Sequence, residues 1–327
     1  MATTLLRQSR FALKRGVRGE KRTGVGAGGT TMTRVAINGF GRIGRNFLRA
    51  SLERRPGFEI VAVNDVGDLE TMAHLLQFDS VLGRLSEPVE IDAETITVGD
   101  HRLRSFSIPD PENLPWRELG VDVVLESTGR FTSRDKAQAH LEAGAKNVVI
   151  SAVANDADVT LVVGVNDDAY DPKRHRIVSN ASCTTNCVTP MAKVLDDAFA
   201  IERGFMTTVH AYTASQPLLD APRKDLRRAR AAAINLIPTS TGATRALGTV
   251  LPELEGKIGA LAIRAPIPVG SIVDLVVELS RPADRDEVNS AFRAAATEGP
   301  LSGILDYADE PLVSSDIVER LRIEAER

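Results

Sequence analysis

The chain has 327 residues, 43% of them hydrophobic and 4% aromatic, at a formal net charge of −4, which suits two domains with separate cores. No apolar run reaches the roughly 18 residues of a membrane span, and two cysteines with five scattered histidines exclude a disulfide scaffold and indicate no metal. Residues 1–32 carry seven Lys/Arg against one acid, which leaves a net −10 on the remainder; that acidic body argues against nucleic acid as a partner and fits a cytoplasmic enzyme.

The leader, 1–32, ends in Gly24-Val25-Gly26-Ala27-Gly28-Gly29 and predicts disorder. It has no apolar h-region, so it is no secretory signal; its Arg-rich, acid-poor character is that of a mitochondrial presequence. The folded pattern starts directly after Met32, which makes Met32 the alternative start.

Arg34 to Asn38 reads as a buried strand, Gly39-Phe40-Gly41-Arg42-Ile43-Gly44 follows, and a helix with Arg45, Phe47, Leu48 and Leu52 comes next. A strand before and a helix after are the context that a dinucleotide fingerprint requires. The second strand, Glu59–Asn64, ends in Asp65, about 20 residues past the glycines, where an acid meets an adenosine ribose diol. A helix around Met72–Leu76, a polar β excursion from Val89 to Leu103 and an apolar strand Val121–Glu126 continue the pattern. That last strand runs into Ser127-Thr128-Gly129-Arg130-Phe131, a strand end of the kind that lines a cofactor crevice. A helix from Lys136 to Ala143 and strands Asn147–Ser151 and Leu161–Asn166 complete a doubly wound α/β pattern.

Ser179-Asn180-Ala181-Ser182-Cys183-Thr184-Thr185-Asn186-Cys187 is a polar turn that enters an apolar helix, Val188–Phe199. Cys183 at that junction faces the helix's free N–H groups and positive dipole end, which favour a thiolate; a buried structural thiol is the bland alternative. His210 lies in a strand-like run, Thr207–Tyr212, followed by an irregular basic stretch, Ser215–Arg230. An Ile234–Pro238 turn leads to Thr239-Ser240-Thr241-Gly242, a candidate phosphate cradle. Strands Leu261–Arg264 and Val273–Leu279 and a helix Asp284–Ala296 make the second half α+β.

Asn38 through Arg45, Ser127 through Phe131, Ser179 through Cys187, Thr208-Val209-His210, Asp225 through Arg230 and Thr239 through Ala243 together resemble the phosphorylating glyceraldehyde-3-phosphate dehydrogenases, from about Thr33 to Asp316. The resemblance implies a Rossmann NAD-binding domain over 33–181 and an α+β catalytic domain over 182–327. It implies that Cys183 attacks the aldehyde of glyceraldehyde 3-phosphate with His210 as its base. Hydride passes to the nicotinamide, and inorganic phosphate cleaves the resulting thioester to an acyl phosphate. Gly39, Gly41, Arg42, Ile43, Gly44, Asp65, Thr128 and Ser151 would hold the cofactor. Ser182, Thr184, Thr241, Gly242 and Arg264 would bind one phosphate, and Thr213 and Arg228 the other. A homotetramer is implied too.

Some positions depart from the family pattern. Pro109 stands before Asp110 where arginine is common, and Val269-Gly270-Ser271 replaces an Asn-Val-Ser. Val66-Gly67 leans toward dual NAD/NADP members while Pro222 leans toward NAD, so NAD is favoured and NADP stays open. Past Asp316 the family continues to a Trp-Tyr-Asp-Asn-Glu string and a final helix, whereas this chain ends in a charged amphipathic tail, Ile317–Arg327. The missing string implies a catalytic domain incomplete at its C-terminus and makes a truncated non-catalytic product one alternative reading; a sister dehydrogenase that acts on erythrose 4-phosphate without phosphorolysis is another.

Overall fold

Apolar runs bounded by glycine and polar turns form the strands, and the computed structural model describes them over residues 32–323 apart from Arg55 and Asn155. The leader 1–31, with its expected disorder, and residues 324–327 lie outside the described residues. Two compact units separate: one runs to Leu161 and resumes over Asp167–Ala181, and the other comprises Val162–Asn166 and Ser182 onward.

The first unit contains β1 (Thr33–Asn38), α1 (Arg42–Arg54), β2 (Phe58–Asn64), α2 (Leu69–Gln77), β3 (Val89–Asp92), β4 (Thr95–Val98), β5 (His101–Phe106), β6 (Val123–Glu126), α3 (Arg134–Glu142), β7 (Asn147–Ile150), β8 (Val159–Thr160) and β9 (Ile177–Ser179). Among the described residues these strands form one sheet in the order β8-β9-β7-β6-β1-β2-β5-β4-β3. Pairing is parallel from β8 through β5 and antiparallel at β4 and β3. Central parallel strands are covered on both faces, which is why they read as continuous apolar runs. Val35 and Ile37 of β1 pack with Phe47 and Leu48 of α1 and Leu76 of α2. Ala36, on the other face, packs with Trp116, Val121 and Val124. The chain runs from β1 to β2 on one side, while β6 adds on the other, so the strand order reverses at β1. Ligands of open α/β sheets bind at such a switch point, outside the carboxyl ends of the strands.

The second unit contains α4 (Cys183–Phe199), β10 (Ile201–Ala211), β11 (Ile237–Thr239), α5 (Ala243–Val250), β12 (Ile258–Ala265), β13 (Ser271–Leu279), α6 (Arg285–Thr297) and α7 (Ser314–Ile323). Its sheet runs β11-β12-β10-β13, with β10 parallel to β12 and antiparallel to β13. Helix α4 packs on β10 and β13, and α5 on β12. Period-2 alternation turns Met206, Thr208 and His210 toward one face of β10 and Phe205, Thr207 and Val209 toward the other. Met206 and Thr208 are buried while Phe205 is half exposed, which identifies the helix-covered face as the one that carries His210.

Two sequence-based assignments need correction. Leu161–Asn166 is not a strand: pairing stops at Thr160, and the chain turns as Val162 N–H donates to Asn166 Oδ1 at 2.9 Å and Val165 N–H to Val162 O at 3.0 Å. Gly164 takes φ +81, and a Cβ there would lie 2.6 Å from Pro300 O. The run is apolar because it is buried, not because it is paired; the strands at this edge are β8 and β9, and β9 occupies the start of the expected polar turn. Likewise Ile237 and Pro238 do not turn but pair with Arg264 and Ile263 as part of β11.

Candidate active site

Cys183 is the first residue of α4, and Ser182 is its N-cap. Ser182 adopts an extended backbone, and its Oγ accepts Thr185 N–H at 3.0 Å, the capping geometry that this residue type favours. The cysteine sulfur lies 3.0 Å from His210 Nε2. Register does the rest: His210 of β10 sits opposite Arg264 of β12 on the same helix-covered face. Arg264 Nη1 donates to Ala211 O at 2.9 Å and stands 2.8 Å from His210 Nδ1, which is itself 2.8 Å from Ala211 O. When Nδ1 carries a proton the Ala211 carbonyl accepts from both, and in either tautomer Nε2 is turned to the sulfur.

Electrostatics follow this geometry. Burial pushes the Cys183 thiol up, but the hydrogen bond and charge of His210 and the hydroxyl and N–H of Thr184 pull harder, so it lies below the ordinary thiol range. His210 is raised, chiefly by its bond to Cys183; burial and the charge of Arg264 oppose, and the Ala211 carbonyl adds to the rise. Each group thus favours the charged form of the other. One turn along α4, burial pushes the Cys187 thiol up to about 11, which leaves it inert at neutral pH. Both cysteines are free thiols.

The expected phosphate residues fall into subsets. Arg264 belongs with Cys183 and His210, and its buried Nε has no hydrogen-bond partner among the described residues. Burial first, then the charge of Arg228, lowers its guanidinium, so two cations face a common region that an anion would stabilise. Arg228 Nη2 donates to Ser215 Oγ at 3.0 Å, and Thr213 Oγ1 lies 3.0 Å from the same hydroxyl. Ser215 thus joins Thr213 to Arg228; sequence reasoning missed it, and no local pattern marks it. Thr241 and Gly242 sit at the start of α5, where Thr241 Oγ1 accepts Ala243 N–H at 3.2 Å. Ser182 and Thr184 both have present duties, one to the cap and one to the sulfur.

The glycine turn fits a dinucleotide. Gly39 adopts φ +95, and a Cβ there would lie 2.5 Å from Thr128 N; one at Gly44 would lie 2.2 Å from Gly39 O. Gly41 instead meets nothing within 4 Å, so the open space lies at the start of α1, whose first turn has no acidic residue to cancel the dipole. Asp65 Oδ2 accepts Phe40 N–H at 2.7 Å and Oδ1 accepts Gly67 N–H at 3.0 Å, which braces the turn. Arg45, another residue the sequence reading gave no role, donates from Nη1 to Phe40 O at 2.9 Å. Arg42 and Ile43 open α1, and Ser151 follows β7 and donates its N–H to Glu126 O at 2.9 Å. Among the described residues no group of three His, Cys, Asp or Glu is placed to hold a metal.

Comparison with known proteins decides the family. The model described as glyceraldehyde 3-phosphate dehydrogenase, NAD binding domain, matches residues 33–134, and that of the C-terminal domain matches 182–324. Glyceraldehyde-3-phosphate dehydrogenase 2 of Streptomyces avermitilis is 59% identical over 285 residues, which cover 87% of this chain and 85% of that protein. The Kitasatospora aureofaciens enzyme is 59% identical over 286 residues (88% and 86%), and a Mycobacterium tuberculosis one 58% over 291 (87% and 85%). The chain belongs to the glyceraldehyde-3-phosphate dehydrogenase family. A Rossmann NAD-binding domain precedes an α+β C-terminal domain, and NAD is the cofactor of this dehydrogenase. Among the described residues, no helix is long and apolar enough to cross a membrane.

Proposed function

We propose that this chain oxidises D-glyceraldehyde 3-phosphate to 1,3-bisphosphoglycerate with NAD and inorganic phosphate, through a thioester on Cys183. The observation that supports it most is the 3.0 Å approach of Cys183 Sγ to His210 Nε2 at a helix N-terminus, with the thiol lowered and the imidazole raised. The thiolate adds to the aldehyde carbon, and the new alkoxide takes the Nε2 proton. NAD, when bound, supplies the oxidant and takes up hydride. As the hydroxyl proton leaves, the neutral His210 ring accepts it at Nε2, while Nδ1–H stays on Ala211 O. Phosphate then attacks the acyl carbon and Cys183 departs as thiolate, the form that its surroundings favour.

Residues 33–181 serve as the cofactor domain and 182–327 as the catalytic domain in this reading. Gly39, Gly41, Arg42, Ile43, Gly44, Asp65, Thr128 and Ser151 hold NAD. Ser182, Thr184, Thr241, Gly242 and Arg264 take one phosphate and Thr213 and Arg228 the other. Supporting the phosphate roles are the effect of the Arg228 charge on the Arg264 guanidinium and the buried Nε of Arg264, which has no hydrogen-bond partner among the described residues. We further assign the enzyme to the cytoplasm, where two free thiols persist, and to a homotetramer. Neither nucleic acid nor membrane is a partner in this reading. Purified chain given glyceraldehyde 3-phosphate, NAD and phosphate is expected to make NADH. Omission of phosphate should cut turnover sharply, and erythrose 4-phosphate should be the poorer substrate. No NADH, or turnover indifferent to phosphate, sinks the reading.

A further inference from the structure

Three strand ends meet beneath the glycine turn. Asn38, Asn64 and Glu126 close β1, β2 and β6 and are register partners across those strands. Their exposures are 1%, 4% and 1%. The Glu126 carboxylate accepts at Oε1 from Thr128 N–H, at 2.8 Å, and from the Thr128 hydroxyl; at Oε2 it accepts from Asn38 Nδ2 at 2.6 Å and His140 Nε2 at 3.1 Å. Four donors fill the lone-pair sites of a carboxylate. The other nitrogen of fully buried His140, Nδ1, accepts from the Trp116 indole at 3.1 Å. An indole N–H only donates, so the ring proton sits on Nε2, toward Glu126. Asn38 Oδ1 accepts Asn64 Nδ2 at 2.7 Å, and Asn64 pairs in both senses with the backbone of Ile108. The amide of Asn38 is therefore fixed with its NH2 toward Glu126.

We propose that Glu126 is a positioning residue of the dinucleotide site, whose buried carboxylate sets the Thr128 turn against Gly39 before NAD arrives. The coupling is steric and polar: Gly39 leaves no room for a Cβ beside Thr128 N, and Ser127 Oγ donates to Gly39 O at 2.7 Å. A displaced turn displaces the first glycine of the cradle. The proposal rests on reading Gly39–Gly44 as the NAD site.

Glu126→Gln separates positioning from simple support. Glutamine offers one oxygen and one NH2. On the inner side it meets Asn38 and His140, both locked as donors; on the outer side it meets Thr128, whose hydroxyl can rotate to accept. Its NH2 settles outward and leaves Thr128 N–H facing a donor, so the damage falls on the turn while Trp116 keeps its partner. We expect the Kd for NAD by calorimetry, and the KM, to rise about 10-fold. The kcat should change by less than about twofold, and the fluorescence of Trp116, the one tryptophan of the chain, should hold its wild-type spectrum. A wild-type Kd in E126Q, or a loss confined to kcat, overturns the proposal alone. A wild-type chain that itself binds no NAD overturns the underlying reading with it. Should E126Q not fold, amide exchange in the wild-type chain decides: without NAD the Thr128 N–H must be protected, and exchange at open-loop rates overturns the proposal.

Discussion

Cys183 and His210 favour opposite charges in each other, and the effect should be readable in the reactivity of the thiol. Only thiolate alkylates, so the rate of modification by iodoacetamide rises through the pKa of Cys183, which lies below the ordinary thiol range. Replacement of His210 by Asn removes the hydrogen bond and the charge that pull it down; burial, the largest opposing cause, remains. The inflection of the alkylation profile is then expected to move upward, and an unmoved inflection would contradict the pairing. At neutral pH a single thiol per chain should be labelled, because Cys187 titrates at about 11. Ser215→Ala removes the hydroxyl that joins Thr213 to Arg228; one lost hydrogen bond of this kind corresponds to about a fivefold rise in KM for the aldehyde, with kcat nearly unchanged. A change confined to kcat in steady-state kinetics would reject that role. At this scale the sequence made Cys183 legible, since helix N-termini are marked by local residue types. The contact of Arg264 with His210 comes from strand register, 54 residues apart, and no local pattern records it.

At the level of elements, α4 depends on its first turn. Ser182→Ala removes the acceptor for Thr185 N–H, and a lost cap of this type costs about 1 kcal/mol, to be measured as a lower midpoint in denaturant unfolding with an unchanged slope. An unshifted midpoint would show that the cap is replaceable. Helices α1, α2 and α4 and the central strands were readable because glycine turns, caps and apolar periodicity agree there. The Val162–Asn166 turn misled because a short buried apolar run has no periodicity of its own, and only the close approach of Gly164 to Pro300 explains why it is not a strand. Thr128 and Asp65 were likewise legible as strand-end residues. The carboxylate beneath them was not, because Glu126 closes an apolar strand and its partners arrive from β1 and α3.

At the scale of the whole molecule, two of the apolar surfaces that the second unit exposes bear on assembly. On the sheet face opposite the helices, Phe205 and Val276 are register partners with exposures of 50% and 66%, beside Ile272 at 61%. The irregular stretch carries Leu218, Leu219, Leu226 and Ile234, each more than three-quarters exposed. Patches of this kind mark association sites. One self-complementary patch closes a dimer, whereas a tetramer of dihedral symmetry needs a second, distinct one. Assigning these two patches to the two interfaces of the proposed homotetramer predicts how assembly fails. Val276→Arg places a charge on the sheet face without touching the other patch, so light scattering coupled to gel filtration should show the tetramer replaced by a species of half its mass. Val276 lies in the second unit and the glycine turn in the first, so calorimetry should find the NAD affinity of each chain unchanged within about twofold. An unaltered mass would remove the sheet face from the interface. A variant that falls directly to monomers would show that the Leu218–Ile234 surface does not hold a dimer by itself.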